Sequence, residues 1–338
     1  MKKRMKQTTY SAHRQGSDQG RPSGARILLA ACVLFGAWAL TPMAALSQSS
    51  GFSFGVIGRA STAATDASML RETIAASDND NLAFVVVNGI KSVNEPCTDK
   101  LYFQRKELFQ SAKNGLIIAI GASDWSDCAN TRGQSTAIER LSRVRDLFFD
   151  DEFSFGASRL PLTHQASTPK YRTYTENLRW DIGSLAFATV HLPSNNNDYL
   201  VAAGRNSEFE DRMVADRDWL HRVVSVATRR NASGIVLFCD ADPLTRPDLL
   251  ARIGWGGGRD GFAEIRKQLH DLAQRFAGKI LLVHAAPGTS TEPGQIAWQG
   301  NLGSVSVASG WMKITVDPQV QALFTASSAG SVSRTGSQ

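Results

Sequence analysis

The 338-residue sequence has no apolar run long enough to cross a bilayer as a helix, which takes about 20 residues. Its longest is the 14 residues 27–40. Cysteine is scarce, four in all, and the spacings match no zinc motif. No Gly-x-Ser-x-Gly elbow occurs, so no nucleophilic serine of that kind is assigned. The glycine-rich stretch 254–259 lacks the Lys-Ser/Thr ending of a P-loop, and a flexible loop explains it better. There are no internal repeats. A basic surplus is also missing from most of the chain. The formal charge is +6, but seven of the 37 basic residues and one of the 31 acids fall in residues 1–47. That leaves 30 of each from Gln48 onward, so a nucleic-acid footprint is not expected.

What is present begins with a leader. A basic segment ending at Arg26 precedes the apolar run, Thr41-Pro42 breaks it, and Ala45-Leu46-Ser47 offers a cleavage site before Gln48. Residues 1–47 are therefore expected to be a signal peptide or an N-terminal membrane anchor, the only membrane contact. The body is expected in the periplasm or outside the cell, where disulfides persist. Cys97 and Cys128 both sit in polar, loop-like stretches and form the disulfide candidate. Their bridge would close a loop of about 30 residues, worth roughly 3 kcal/mol in the chain-entropy model. Cys239 ends an apolar run and is expected to be a buried free thiol.

Short apolar runs alternate with amphipathic stretches. Strands are expected at 52–58, 82–87, 116–120, 172–181, 185–191, 234–239 and 279–284. Helices are expected at 66–77, 99–113, 136–149, 206–230 and 261–276. The helix at 99–113 has Leu101, Phe103, Leu108 and Phe109 as its apolar face. Residues 304–308 and 312–316 alternate and read as a terminal hairpin turning at Ser309-Gly310. A Ser/Gly/Ala-rich tail, 326–338, reads as disordered, leaving 48–325 as one α/β domain. In such sheets ligands sit beyond the carboxyl ends of the strands. Asp240 and Asp242 follow one strand, and Asp242 is expected to cap the segment before Pro243. Asn195, Asn196 and Asn197 follow another, as a binder of sugar or phosphate oxygens or as a plain turn.

Five strand-end frames carry a resemblance. In chain order they are Phe54-Gly55-Val56-Ile57-Gly58, Val87-Asn88-Gly89-Ile90-Lys91-Ser92, and Gly121-Ala122-Ser123-Asp124-Trp125-Ser126-Asp127-Cys128. Val190-His191 with Ser194-Asn195-Asn196-Asn197 and Leu281-Leu282-Val283-His284 follow. Together they resemble the calcineurin-like metallophosphoesterases, in particular their exported bacterial branch, from about residue 52 to 318. The resemblance implies a sandwich of two mixed β-sheets flanked by helices. It also implies two divalent metal ions, held by carboxylates, Asn and His, that activate water and clamp phosphate oxygens.

Position by position, most of that ligand set is gone. Arg59 stands where the family places its first Asp, and Ser61 at the next ligand position. Asn88-Gly89 replaces Gly-Asp, Ala122 and Ser123 replace a ligand and the proton donor, and Asp124 alone survives in that motif. His191 matches a family His, whereas the last motif falls on Ala285-Ala286-Pro287-Gly288, which holds no ligand. A guanidinium such as Arg59 repels a nearby dication. The expectation is a phosphoesterase scaffold without catalytic residues or bound metals. Its ligand-binding candidates are Arg59, Asn88, Ser123, Asp124, His191, Asn195 and Asn196, in a cleft for a small anionic ligand or an envelope protein. The alternative is an active metal-dependent phosphoesterase hydrolysing phosphate esters.

Overall fold

The computed structural model describes residues 51–58, 67–201, 206–246, 259–285, 294–307 and 310–329. The leader 1–47, Arg59, Ser61, the glycines at 254 and 256–258, Ala286 to Gly288, Ser309 and residues 330–338 lie outside the described residues.

Two mixed sheets form the body. The first holds β1 (Phe52–Ile57), β2 (Val85–Asn88), β3 (Leu116–Ala119), β11 (Trp311–Val316) and β12 (Phe324–Ala329) in the order β12-β11-β1-β2-β3. β1, β2 and β3 are parallel, while β11 and β12 are antiparallel additions at one side. The second sheet runs β4 (Thr163–His164), β5 (Leu178–Ile182), β6 (Leu185–Thr189), β7 (Gly234–Cys239), β8 (Lys279–His284), β10 (Leu302–Ser306) and β9 (Ala297–Gln299). Its centre, β6-β7-β8-β10, is parallel. β5 and β6 are antiparallel and turn at Gly183, which has positive φ.

Continuous apolar runs make these strands because both faces are covered. Ile57, Val87 and Ile118 are buried in one cluster with Leu70 and Ile74 of α1 (Ala67–Ser77), Leu108 of α2 (Asp99–Gln110) and Val144 of α3 (Ala137–Phe148). In the second sheet, Ile235, Leu237 and Leu282 pack with Phe209 and Val223 of α4 (Ser207–Arg229) and Leu269 of α5 (Ala263–Arg275). Between the sheets lies an aromatic seam. Phe54 stacks on Phe84 at 5.1 Å and meets Phe187 edge-on at 5.5 Å, and Phe84 meets Phe187 at 4.9 Å and Trp180 at 5.3 Å. Such pairs add about 0.5–1.5 kcal/mol each beyond their buried area.

Four expectations need correction. Residues 304–308 and 312–316 are not a hairpin: β10 joins β8 in the second sheet, and β11 joins β1 in the first. Residues 326–329 do not open a disordered tail but complete β12, paired with β11 along its length. The strand expected from 172 begins only at Leu178, after a 3-10 turn at Pro169–Tyr171. On α2 the buried face is Tyr102, Arg105, Leu108 and Phe109. Phe103 stays 47% exposed beneath the Arg143 guanidinium, because the spacing 102, 105, 109 is the one turned to the sheet.

Cys97 and Cys128 are bonded, with Cα atoms 5.8 Å apart, and Cys239 is a buried free thiol. The bridge ties the segment after β2 to the segment after β3. Replacing both cysteines with Ala should lower the unfolding free energy by roughly 3 kcal/mol. Urea denaturation measures this, and an unchanged midpoint would show that the bridge adds nothing to stability.

Candidate functional site

The carboxyl ends of β2, β3, β6 and β7 meet at one rim, and a buried carboxylate holds the first two. Asp124 Oδ1 accepts from the backbone N–H of Ile90 (2.8 Å) and Lys91 (3.1 Å), and Oδ2 accepts from Gly121 N–H (2.7 Å). Burial pushes its pKa up, and these three N–H groups oppose the rise. Asp240, beyond β7, crosses between the sheets. Its Oδ2 accepts from Ala122 N–H and Ser194 N–H, each at 2.8 Å. A Cβ on Gly121 would sit 3.0 Å from the Asp240 carboxyl carbon, so glycine is what lets the two loops approach.

His191 is fixed from both sides. Trp125 Nε1–H donates to its Nε2 at 3.1 Å. An indole only donates, so Nε2 carries the lone pair and Nδ1 carries the proton. That proton points to Glu176 Oε1 at 2.8 Å. Glu176 also takes two bonds from Arg145, Nε to Oε2 at 2.8 Å and Nη2 to Oε1 at 2.5 Å. Burial lowers the His191 pKa despite the Glu176 carboxylate. Against its own desolvation, Glu176 is held below the usual carboxylate range by Arg145 and His191. The ring is a neutral, doubly engaged group.

The asparagine turn is equally committed. Asn196, Asn197 and Asp198 all have positive φ, which Asn and Asp tolerate best after Gly. Asn196 Oδ1 accepts from Gly261 N–H at 2.9 Å and its Nδ2 donates to Arg259 O at 3.0 Å. Asn197 Oδ1 and O accept from the buried Arg212, which also donates to His191 O at 3.1 Å and to Glu208. Asn195 is exposed and donates to Ser126 Oγ at 2.9 Å. The turn therefore clasps α4 and the start of α5 to the rim.

The segment after β2 differs. Asn88 is buried, and neither Oδ1 nor Nδ2 has a partner. Ser92 Oγ is buried and unpartnered too. The buried Lys91 ammonium donates to Ser92 O at 2.9 Å. Ser123 Oγ donates to Lys91 O at 3.3 Å. His284 ends β8 beside Cys239 of β7, with its Nε2 3.9 Å from Asp242 Oδ2. Strand alternation puts it on the helix-facing side with Leu282, where it meets Ser304 Oγ at 3.1 Å. Asp242 accepts from Leu244 N–H at 3.0 Å and from Thr245 Oγ1 at 2.6 Å, on the far side of Pro243 from the segment expected to be capped. A groove of about 280 Å³ beside Lys106, Phe148 and Phe155 lies at the amino end of β3, away from the rim.

Of the candidates, Asn88, Ser123, Asp124, His191 and Asn195 belong to this rim, Asn196 serves the clasp, and Arg59 lies outside the described residues. Of the polar partners, Glu176 and Arg212 carried no motif signal, and Trp125 and Lys91 stood inside the strand-end frames without being singled out. Only the pairing of a strand-end His with a Trp in the preceding frame hinted at one of them. Two dications do not fit this donor set. Asp124 is spent on three backbone N–H groups, His191 on Trp125 and Glu176, and Asp240 Oδ2 on two more N–H groups. Among the described residues no group of three His, Cys, Asp or Glu side chains is placed to hold a metal. Among them, too, no helix is long and apolar enough to cross a membrane.

No protein-family model and no curated protein matches this chain. A solved structure of a novel phosphatase from Mycoplasma pneumoniae aligns over 82% of this chain and 92% of its own, with 9% identity and a TM-score of 0.39.

Asp124→Ala should cost about 3 kcal/mol or more, because three buried N–H groups lose their acceptor. Asp124→Asn should cost less, since its oxygen still serves Ile90 and Lys91. Equal losses in denaturant titrations would contradict this assignment. His191→Gln should be less stable than the parent at pH 7.5. The unfolded ring takes a proton below its ordinary pKa of 6.5, which the buried ring refuses, so parental stability falls as pH drops through that value. The gap to the variant should therefore narrow between pH 7 and 5, above the range where Glu176 acts. A constant gap would show that His191 is not held neutral.

Proposed function

We propose that this chain is an exported phosphoesterase-fold protein without a working metal centre, and that its strand-end cleft binds a small anion. The observation that carries this reading is the allocation of polar groups at the rim. The acid and the imidazole that match the family's motifs are consumed by the protein's own donors and acceptors. Pulling either out to a metal leaves buried N–H groups or a buried indole unpaired, which costs about 1–3 kcal/mol for each group. The leader and the Cys97–Cys128 bridge are in keeping with export.

Binding without turnover follows from the same chemistry. Phosphoester hydrolysis needs an activated water and a clamp on the developing charge. His191 has its lone pair on Trp125, so it takes no proton from water without giving up that bond. Purified protein should retain no stoichiometric manganese, iron or zinc by elemental analysis. It should also hydrolyse p-nitrophenyl phosphate and bis-p-nitrophenyl phosphate no faster than blank under added Mn²⁺. Stoichiometric metal with metal-dependent turnover would sink the reading.

A further inference from the structure

We propose that the turn formed by residues 88–92 is the anion-binding element of this cleft, and that it takes a small oxyanion carrying one hydroxyl, of the monohydrogen phosphate type. The inference rests on the metal-free reading above and names the ligand chemistry of that site. Three features of the turn point to a ligand. Asn88 is 2% exposed and both ends of its amide lack partners. Ser92 is 0% exposed and its hydroxyl lacks one. Between them, Lys91 is 4% exposed, and its ammonium has one backbone carbonyl and, among the described residues, no carboxylate partner. That carbonyl belongs to Ser92, so the ammonium sits on the residue that carries the orphan hydroxyl. Buried polar groups of folded proteins are nearly always paired, so two orphaned side chains beside a buried ammonium call for an occupant.

The backbone of the turn is pinned. Gly89 has φ +89°, a conformation that favours glycine, and its N–H bonds Ala119 O at 2.8 Å. Ile90 and Lys91 N–H are held by Asp124, Ile90 O by Arg105 Nε at 3.1 Å, and Ser92 N–H by Glu95 Oε2 at 2.9 Å. A rigid cradle of this kind has its ordering cost met in the folded state, which favours binding.

The occupant follows from the unpaired atoms. Asn88 Nδ2, Ser92 Oγ–H and Lys91 Nζ–H ask for acceptors, whereas Asn88 Oδ1 asks for a donor. A dication would leave Nδ2 unpaired and would face the ammonium. Water bridges polar groups but brings no opposite charge to the ammonium. Burial already lowers the Lys91 pKa, despite Asp124, Glu95 and Asp127 nearby, so a bound anion relieves that penalty. Sulfate at neutral pH offers acceptors alone, whereas monohydrogen phosphate offers acceptors and one O–H.

Calorimetric titration of the full chain at pH 7.5 in EDTA, with inorganic phosphate and then sulfate, tests the inference. Phosphate should bind 1:1 and at least about tenfold more tightly than sulfate, the usual sense when a site's buried acceptor is left unpaired. Asn88→Leu should remove the preference, and Ser92→Ala should weaken phosphate without lowering the melting temperature of the unliganded protein. No phosphate binding would mean that water alone fills the turn and would overturn the inference. So would equal affinity for sulfate, or unchanged affinity in both variants. Phosphate binding seen only after Mn²⁺ is added would also overturn it. Metal-dependent hydrolysis, by contrast, would strike the metal-free reading even if EDTA-resistant phosphate binding persisted.

Discussion

The Asp124 carboxylate is the point on which the rim depends. Three backbone N–H groups from two different strand ends converge on its two oxygens. Parallel strands leave their last N–H groups pointing past the sheet, and at a buried rim water does not serve them. Once those groups are collected, the loop after β3 has one position. From it, Ala122 N–H reaches Asp240, Trp125 reaches His191, Ser126 meets Asn195, and Cys128 meets Cys97. The two sheets are glued by aromatic burial, but their relative register at this end is set through that loop.

Low local dielectric explains why the allocation matters so much. In a dry rim every satisfied bond is worth more and every orphan costs more. Asp124, His191, Glu176, Asn197 and Arg212 form a nearly closed account of donors and acceptors, and such groups are poor ligands because recruiting them unpairs another. The turn 88–92 stands against this background. The N–H groups of Gly89 to Ser92 are all bonded, while the Asn88 amide and the Ser92 hydroxyl are not.

Much of the architecture was legible because it rests on local patterns. Val85-Val86-Val87 and Gly234 to Cys239 read as doubly covered strands, and both are. The polar settings of Cys97 and Cys128 marked a pair that the fold then brings together. Where legibility failed, the cause was non-local. The stretches 304–308 and 312–316 have the alternation of a hairpin, yet each is claimed by a different sheet because Leu302 and Val305 are buried beside β8 and Met312 and Ile314 beside β1. The pattern of a strand says which face is apolar and not which neighbour covers it. Tyr102 was overlooked for Phe103 because hydropathy ranks them wrongly for this site. Tyr102 goes inward since its hydroxyl finds Asp124 O at 2.7 Å.

The same division holds for the site. The amino-acid sequence alone determined the strand-end frames, the residues Asn88-Gly89 and Gly121 to Asp124 within them, and the concentration of positive charge in residues 1–47. These are matters of residue identity and order. Tertiary structure decided what each residue is for. It made Asp124 a backbone clamp, turned His191 inward between an indole and a carboxylate, spent Asn196 and Asn197 on a clasp, and left Asn88 and Ser92 without partners. A side chain's hydrogen-bond partners lie tens to hundreds of residues away in the chain, so only folding determines whether a polar group is spent or free.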